Sequence, residues 1–134
     1  SEGDEAWVVT ESGLSTDLAS SGIYTIAASD SLLMAVGGDY TQVDATQHAV
    51  RSSDGVRWER SEGSLDGYRS VLDYSAACDC WLAAGTNGVQ LSFDQGNSWE
   101  KLSDWNTNTL RFLPATSKAV LASGKGEVLL LEIK

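Results

Sequence analysis

Residues 92–102 read "SFDQGNSWEKL", and a shorter echo, "SSDGVRWERS", occupies residues 52–61. Each sets a serine and an aspartate two apart, then a glycine, then a tryptophan. A short carboxylate can accept hydrogen bonds from backbone N–H groups of its own turn. Glycine takes the positive φ that tight turns often need. A large apolar ring directly after such a turn is placed to fill an interior layer, burying roughly 150–250 Å². The first copy has one residue fewer between aspartate and tryptophan, so its turn must differ.

The surrounding sequence repeats with these turns. Three passages read strand, turn, strand ending in glycine, strand. They begin at "IYTIAASDSLLMAVGGDY", at "YRSVLDYSAACDCWLAAGTNG" and at "NTLRFLPATSKAVLASGKG". Asp54 and Asp94 lie 40 residues apart, Trp58 and Trp99 lie 41 apart. Four short strands in a period near 40–45 residues is the signature of a propeller blade. The expected fold is therefore all-β: about three four-stranded antiparallel blades in one domain over 1–134, at about 20–62, 63–104 and 105–134. The third passage stops after "GEVLLLEIK" without an outer strand, and residues 5–12 ("EAWVVTES") form a stray strand or complete that blade. Three blades cannot close a ring, since propellers usually have at least four. The chain is expected to be part of a larger propeller or a ring completed by oligomerisation.

Composition narrows the partners. The 134 residues carry 19 acids and 9 bases, a net charge of −10, which opposes nucleic acid and anionic membranes. No apolar run reaches the roughly 18 residues of a membrane span. The cysteines occur only as "CDC" at 78–80. Alternate residues on one strand are about 6.5–7 Å apart, at the limit for a disulfide, so two buried thiols are expected. A metal site would need further ligands, and His48 is distant in sequence and expected to be exposed. No metal or cofactor is expected.

The motif S-x-D-x-G-x-x-W, matched in full by Ser92, Asp94, Gly96 and Trp99 and in shortened form by Ser52, Asp54, Gly55 and Trp58, resembles the Asp box (BNR repeat) of sialidases and sortilin-type receptors. The ordered set "SSGIYTIA", "VGGDY", "SSDGVRW", "GYRSVLDY", "GTNGVQLSFDQGNSW" and "GKGEVLLL" resembles the C-terminal part of bacterial Asp-box propellers labelled glycosyl hydrolase or oxidoreductase. These are related to the photosystem II stability and assembly factor. The resemblance covers residues 20–131. It implies a propeller of about seven blades, an extracellular or periplasmic setting, and boxes that are structural. "ESGLSTDLA" at 11–19 departs from the pattern where a box hairpin is expected.

In a propeller, the loops before innermost strands and after second strands open on one face. Asp39, Tyr40, Tyr68, Arg69 and Asn87 are expected to converge there as a ligand-binding face, with Asn106, Asn108 and Lys125 nearby. Sialidase chemistry needs three convergent arginines, but Arg51, Arg57 and Arg60 belong to third and fourth strands, leaving Arg69 and Arg111. A glycosidase pair needs two carboxyls about 5–10 Å apart, for which Asp39 and Asp73 are the candidates. No hydrolase, metalloprotease or nucleotide-binding motif occurs. The expected function is a non-catalytic scaffold for protein–protein interaction or assembly, its partner a polypeptide that completes the propeller, either a copy of itself or a missing N-terminal half. The alternative is a carbohydrate-binding module using Trp7, Trp81 or Trp105, with Trp58 and Trp99 committed to the core. Full burial of Trp99 would put Trp99→Ala at about 3–5 kcal/mol, and loss of the turn bonds would put Asp94→Ala at roughly 1–2 kcal/mol.

Overall fold

The computed structural model describes residues 6–14 and 19–134. The fold is all-β. Strands β1 (Ser21–Ala28), β2 (Leu33–Asp39), β3 (Gln47–Ser52) and β4 (Glu59–Leu65) form the first sheet. Strands β5 (Val71–Ser75), β6 (Cys80–Gly85), β7 (Gly88–Ser92) and β8 (Glu100–Ser103) form the second, and β9 (Thr109–Phe112), β10 (Lys118–Ala122) and β11 (Val128–Glu132) the third. Every sheet is an antiparallel meander in sequence order. These are three blade-like units, and they do not close into a ring. The first sheet runs to Leu65, slightly past the expected boundary at 62.

The innermost strands lie side by side, with β5 between β1 and β9. Strand alternation then assigns each side chain to one neighbour or the other. On β6, Trp81 and Ala83 face the first sheet and join Met34, Val36, Ala49, Leu65 and Leu72. Cys80, Leu82 and Ala84 face the third and join Val89, Leu91, Leu110, Phe112, Ala119 and Leu121. The middle blade is thus buried on both faces, and every residue of β6 and β7 is buried. That explains why "CWLAAG" reads as an unbroken apolar run rather than an alternating one.

Each change of blade is fastened by two successive amides. Arg69 N–H donates to Gly37 of the first sheet at 2.7 Å, and Ser70 N–H donates to Ala84 of its own sheet at 2.9 Å. One blade later Thr107 N–H donates to Gly85 at 3.0 Å and Asn108 N–H to Ala122 at 2.8 Å. The incoming chain passes so close that a Cβ at Gly85 would collide with the Tyr68 carbonyl oxygen. This is why β6 ends in glycine.

The third sheet has three strands, and residues 6–14 are in no strand. The expected completing strand at 5–12 is therefore not formed over its described part; Glu5 lies outside the described residues, as does part of 11–19. Trp7, Val8 and Val9 are exposed.

Cys78 and Cys80 form a disulfide, against the expectation of two thiols. The reason is local. Only Cys80 lies on β6; Cys78 sits in the turn after β5, and Asp79 adopts φ +48°. The turn brings the two Cα atoms to 5.2 Å, well inside the bonding range.

The tryptophans also redistribute. Trp81 is 1% exposed at the centre of the first interface. Trp99 packs on the same cluster but is only half-buried, and Trp58 belongs to neither core cluster. Trp105 packs, half-buried, against the second cluster. Trp81→Ala should cost about 3–5 kcal/mol. Trp99→Ala should fall below that range and Trp58→Ala below both. Urea unfolding of the three variants checks the order.

Candidate functional site

Both serine–aspartate turns form, between β3 and β4 and between β7 and β8. Asp54 Oδ1 accepts from the N–H groups of Val56 and Arg57, both at 2.9 Å, while Ser52 Oγ accepts from Gly55 N–H at 2.8 Å. Asp94 Oδ1 accepts from Ser98 N–H at 2.8 Å, and Ser92 Oγ accepts from Gly96 N–H at 2.9 Å. The extra residue of the second turn, Gln95, takes φ +62° ahead of Gly96 at +85°. Backbone bonds from Arg57 and Val56 hold the Asp54 carboxyl below its usual range. Burial alone would raise Asp94, but the bonds from Ser98 and Ser92 outweigh it and lower it.

The second turn does more than close a hairpin. Gly63 N–H on β4 donates to Gly96 O at 3.2 Å, and Arg51, paired with Glu59 at 3.0 Å, reaches Gln95 O at 2.9 Å. The turn therefore docks onto the preceding blade, with Trp99 beneath it. The first turn has no such counterpart among the described residues: Gly55 meets only Leu33, and Trp58 lines a shallow cleft with Leu32, Arg57 and Glu59.

The opposite end gathers the residues expected to bind ligand. Tyr40 and Tyr68 converge, and Tyr24 of β1 joins them. The three rings touch edge to face, with centroids 5.1 Å apart for Tyr24–Tyr68, 6.2 Å for Tyr24–Tyr40 and 6.4 Å for Tyr40–Tyr68. Tyr24 Oη donates to Ser20 O at 2.7 Å. Beside them, Asp39 Oδ1 accepts from Ser20 Oγ at 2.6 Å and from Thr41 N–H and Oγ1 at 2.9 and 2.6 Å. Those bonds, from Ser20 first and then Thr41, hold Asp39 below the usual carboxylate range. Burial, then the neighbouring tyrosines, raises Tyr68; burial, Tyr40 and Asp39 raise Tyr24.

Arg69 and Asn87 meet each other. Arg69 is wholly buried. Its guanidinium donates to Asn87 Oδ1 at 2.6 Å, to Gln90 Oε1 and to Tyr68 O. Asn87 Nδ2 donates in turn to Asp44 Oδ1 at 3.0 Å and to Asp66 O at 2.9 Å. Burial lowers the Arg69 pKa to about 10, so the group stays cationic at neutral pH. The pair clamps the passage from β4 to β5.

The remaining candidates lie elsewhere. Asp73 accepts from Tyr74 N–H on Oδ1 and from Phe112 N–H on Oδ2 at 2.9 Å, which ties β5 to β9. His48 is half-buried rather than exposed; its Nδ1 lies 3.0 Å from Gly63 O, so that nitrogen carries the proton. It lines a cleft of about 490 Å³ with Gly13, Leu14, Asp39, Gln47 and Arg60. Asn106, Asn108, Lys125 and Arg111 are exposed. Among the described residues no cluster of three metal-ligating side chains occurs, and no helix is long and apolar enough to cross a membrane.

The fold thus defines an all-β, blade-like protein with an aromatic and acidic patch at one end. No family model and no curated protein matches the chain. Among solved structures, the computationally designed Ika4 protein aligns over 97% of this chain and 100% of its own at 14% identity, with a TM-score of 0.46. Similarity of that degree carries no argument about function.

Arg69→Lys should cost roughly 1.5–3 kcal/mol, because an ammonium cannot span Asn87 and Gln90 and a charge-assisted bond is lost. Thermal unfolding measures it, and a neutral result would remove Arg69 as the clamp.

Proposed function

We propose that the chain is a non-catalytic blade scaffold that works by associating with another polypeptide. The reading rests on one asymmetry. The turn at Ser92–Trp99 docks onto the blade before it, through Gly96, Gln95 and Trp99. The equivalent turn at Ser52–Trp58 has its own serine–aspartate bonds, and among the described residues Trp58 and Gly55 meet no second blade. At the other end, β11 is an edge strand. Its register places Leu130 beside Val120 and Val128 beside Ala122 on the side away from the core, where Val128 and Leu130 are exposed. Open edges and apolar sheet faces invite pairing with another chain.

Side-chain bonding supports binding over catalysis. Both oxygens of Asp73 hold backbone amides, and Arg69 and Asn87 hold each other, so the Asp39–Asp73 pair and Arg69 are committed to the fold rather than to an acid pair or an arginine cluster. The same observations weaken the carbohydrate alternative. A sugar is held by polar groups that fix its hydroxyls, and two of the polar side chains expected for that role are spent inside the fold.

A second copy is the partner we favour. The free face of the third blade would pack on the first blade of its mate, and two copies would give six blades, within the usual range for a ring. The two-fold symmetry is the commonest among homo-oligomers. Sedimentation at micromolar concentration should show a dimer, and Leu130→Asp should dissociate it without unfolding. A folded species that stays monomeric on concentration would overturn self-association.

A further inference from the structure

We infer that the tyrosine cluster at Tyr24, Tyr40 and Tyr68, with Asp39, is a binding site for a cationic side chain, an arginine or lysine presented by a basic segment of a protein partner. This goes beyond the scaffold reading and uses a different surface from the open sheet faces and box turns.

The cluster is unusual in being assembled and yet uncovered. Its rings come from three separate places: β1, the loop after β2 and the crossover into β5. Tyr40 is 54% exposed and Tyr24 is 40% exposed. Three mutually contacting aromatic rings at the surface leave π faces in water. The face of an aromatic ring is the negative end of its quadrupole and attracts cations, arginine most often.

The surroundings select the sign of the ligand. Asp39 stands beside the rings, and the bonds it accepts from Ser20 and Thr41 fall on Oδ1; the carboxylate is close enough to Tyr24 to raise it. Asp44 and Asp66 lie on the loops that flank the cluster and are exposed. Residues 39–46 and 66–68 contain no lysine or arginine. Arg69, next in the chain to Tyr68, is buried and turned onto Asn87 and Gln90, so it does not fill the rings itself. Arg60 and His48 line the cleft that adjoins Asp39 and are not among the three ring contacts. An anion at the rings would meet the carboxylate of Asp39. A sugar would find mutually edge-on rings in place of a flat platform. A guanidinium or ammonium finds ring faces together with a carboxylate.

The probe is an octa-arginine peptide, with octa-citrulline as its uncharged isostere, added to the isotope-labelled protein. Octa-arginine should shift the ring resonances of Tyr24, Tyr40 and Tyr68 saturably, and octa-citrulline should not. Tyr40→Ala should weaken binding about two- to fivefold, the range of an exposed cation–π contact. Tyr40→Phe, which keeps the ring face, should bind as the wild type does. Asp39→Asn should weaken it as well, whereas Glu62→Gln, which removes an exposed acid on β4, should not. Equal binding of the citrulline peptide would overturn the proposal. So would an equal loss in Tyr40→Ala and Glu62→Gln, or ring shifts produced by a neutral oligosaccharide and not by octa-arginine.

Discussion

The hinge of this architecture is the pair of successive amides that fastens each blade to the one before it. Arg69 and Ser70, and then Thr107 and Asn108, divide their N–H groups between the old sheet and the new. At the first crossing the backbone passes so close to the end of β6 that only glycine leaves room there, at Gly85. Once that crossing is fixed, the innermost strands must run side by side, and the two faces of β5 and β6 must each meet a different sheet. The hydrophobic partition follows: Trp81 and Ala83 to one side, Leu82 and Ala84 to the other. Arg69 reinforces the first crossing with its side chain. The second has Thr107, wholly buried, whose Oγ1 donates to Trp105 O.

The second serine–aspartate turn holds the opposite end of the interface between the first two sheets. A turn that only reversed the chain would need its internal bonds alone. The carbonyl oxygens of the second one also accept from the preceding blade, Gly96 O from Gly63 N–H and Gln95 O from the Arg51 guanidinium. Gln95 accepts φ +62° for this geometry, a conformation that is uncommon outside glycine, asparagine and aspartate. The boundary between the first and second sheets is therefore held near both ends of the strands, with the apolar layer between.

Backbone devices were the legible part of the sequence. The turns, the strand-ending glycines and the repeat length read correctly as three antiparallel units, because each depends on residues close together in the chain. That the third sheet has three strands and the others four was legible for the same reason. Side-chain destinations were not, because they depend on which neighbour a strand meets. Trp99 follows a well-formed turn yet stays half-buried, while Trp81, with no motif around it, carries the interface. Arg69 looked like a ligand group because it precedes an innermost strand, but Gln90 and Asn87, brought near by β7, draw it inward. Tyr24 was missed for want of a local signal: it belongs with Tyr40 and Tyr68 only once β1 has paired with β2. The disulfide was missed because residues 78–80 were read as strand, and a positive φ at Asp79 makes them a turn.

The double-sided burial of the middle blade has a consequence for how the molecule breathes. Each blade touches only its neighbours, so resistance to opening accumulates as a nearest-neighbour sum. β6 and β7 are sheathed on both sides, whereas, among the described residues, the first and third sheets each pack against one other sheet. Local opening free energies should then form a gradient along the array, low at its two ends and near the global value at its centre. Amide protons of β6 would exchange with solvent only when the whole array comes apart, and those of β11 would exchange long before. A partner that seats against either end would flatten that gradient, and a surface meant for docking would thus also be the part of the molecule that most readily gives way without it.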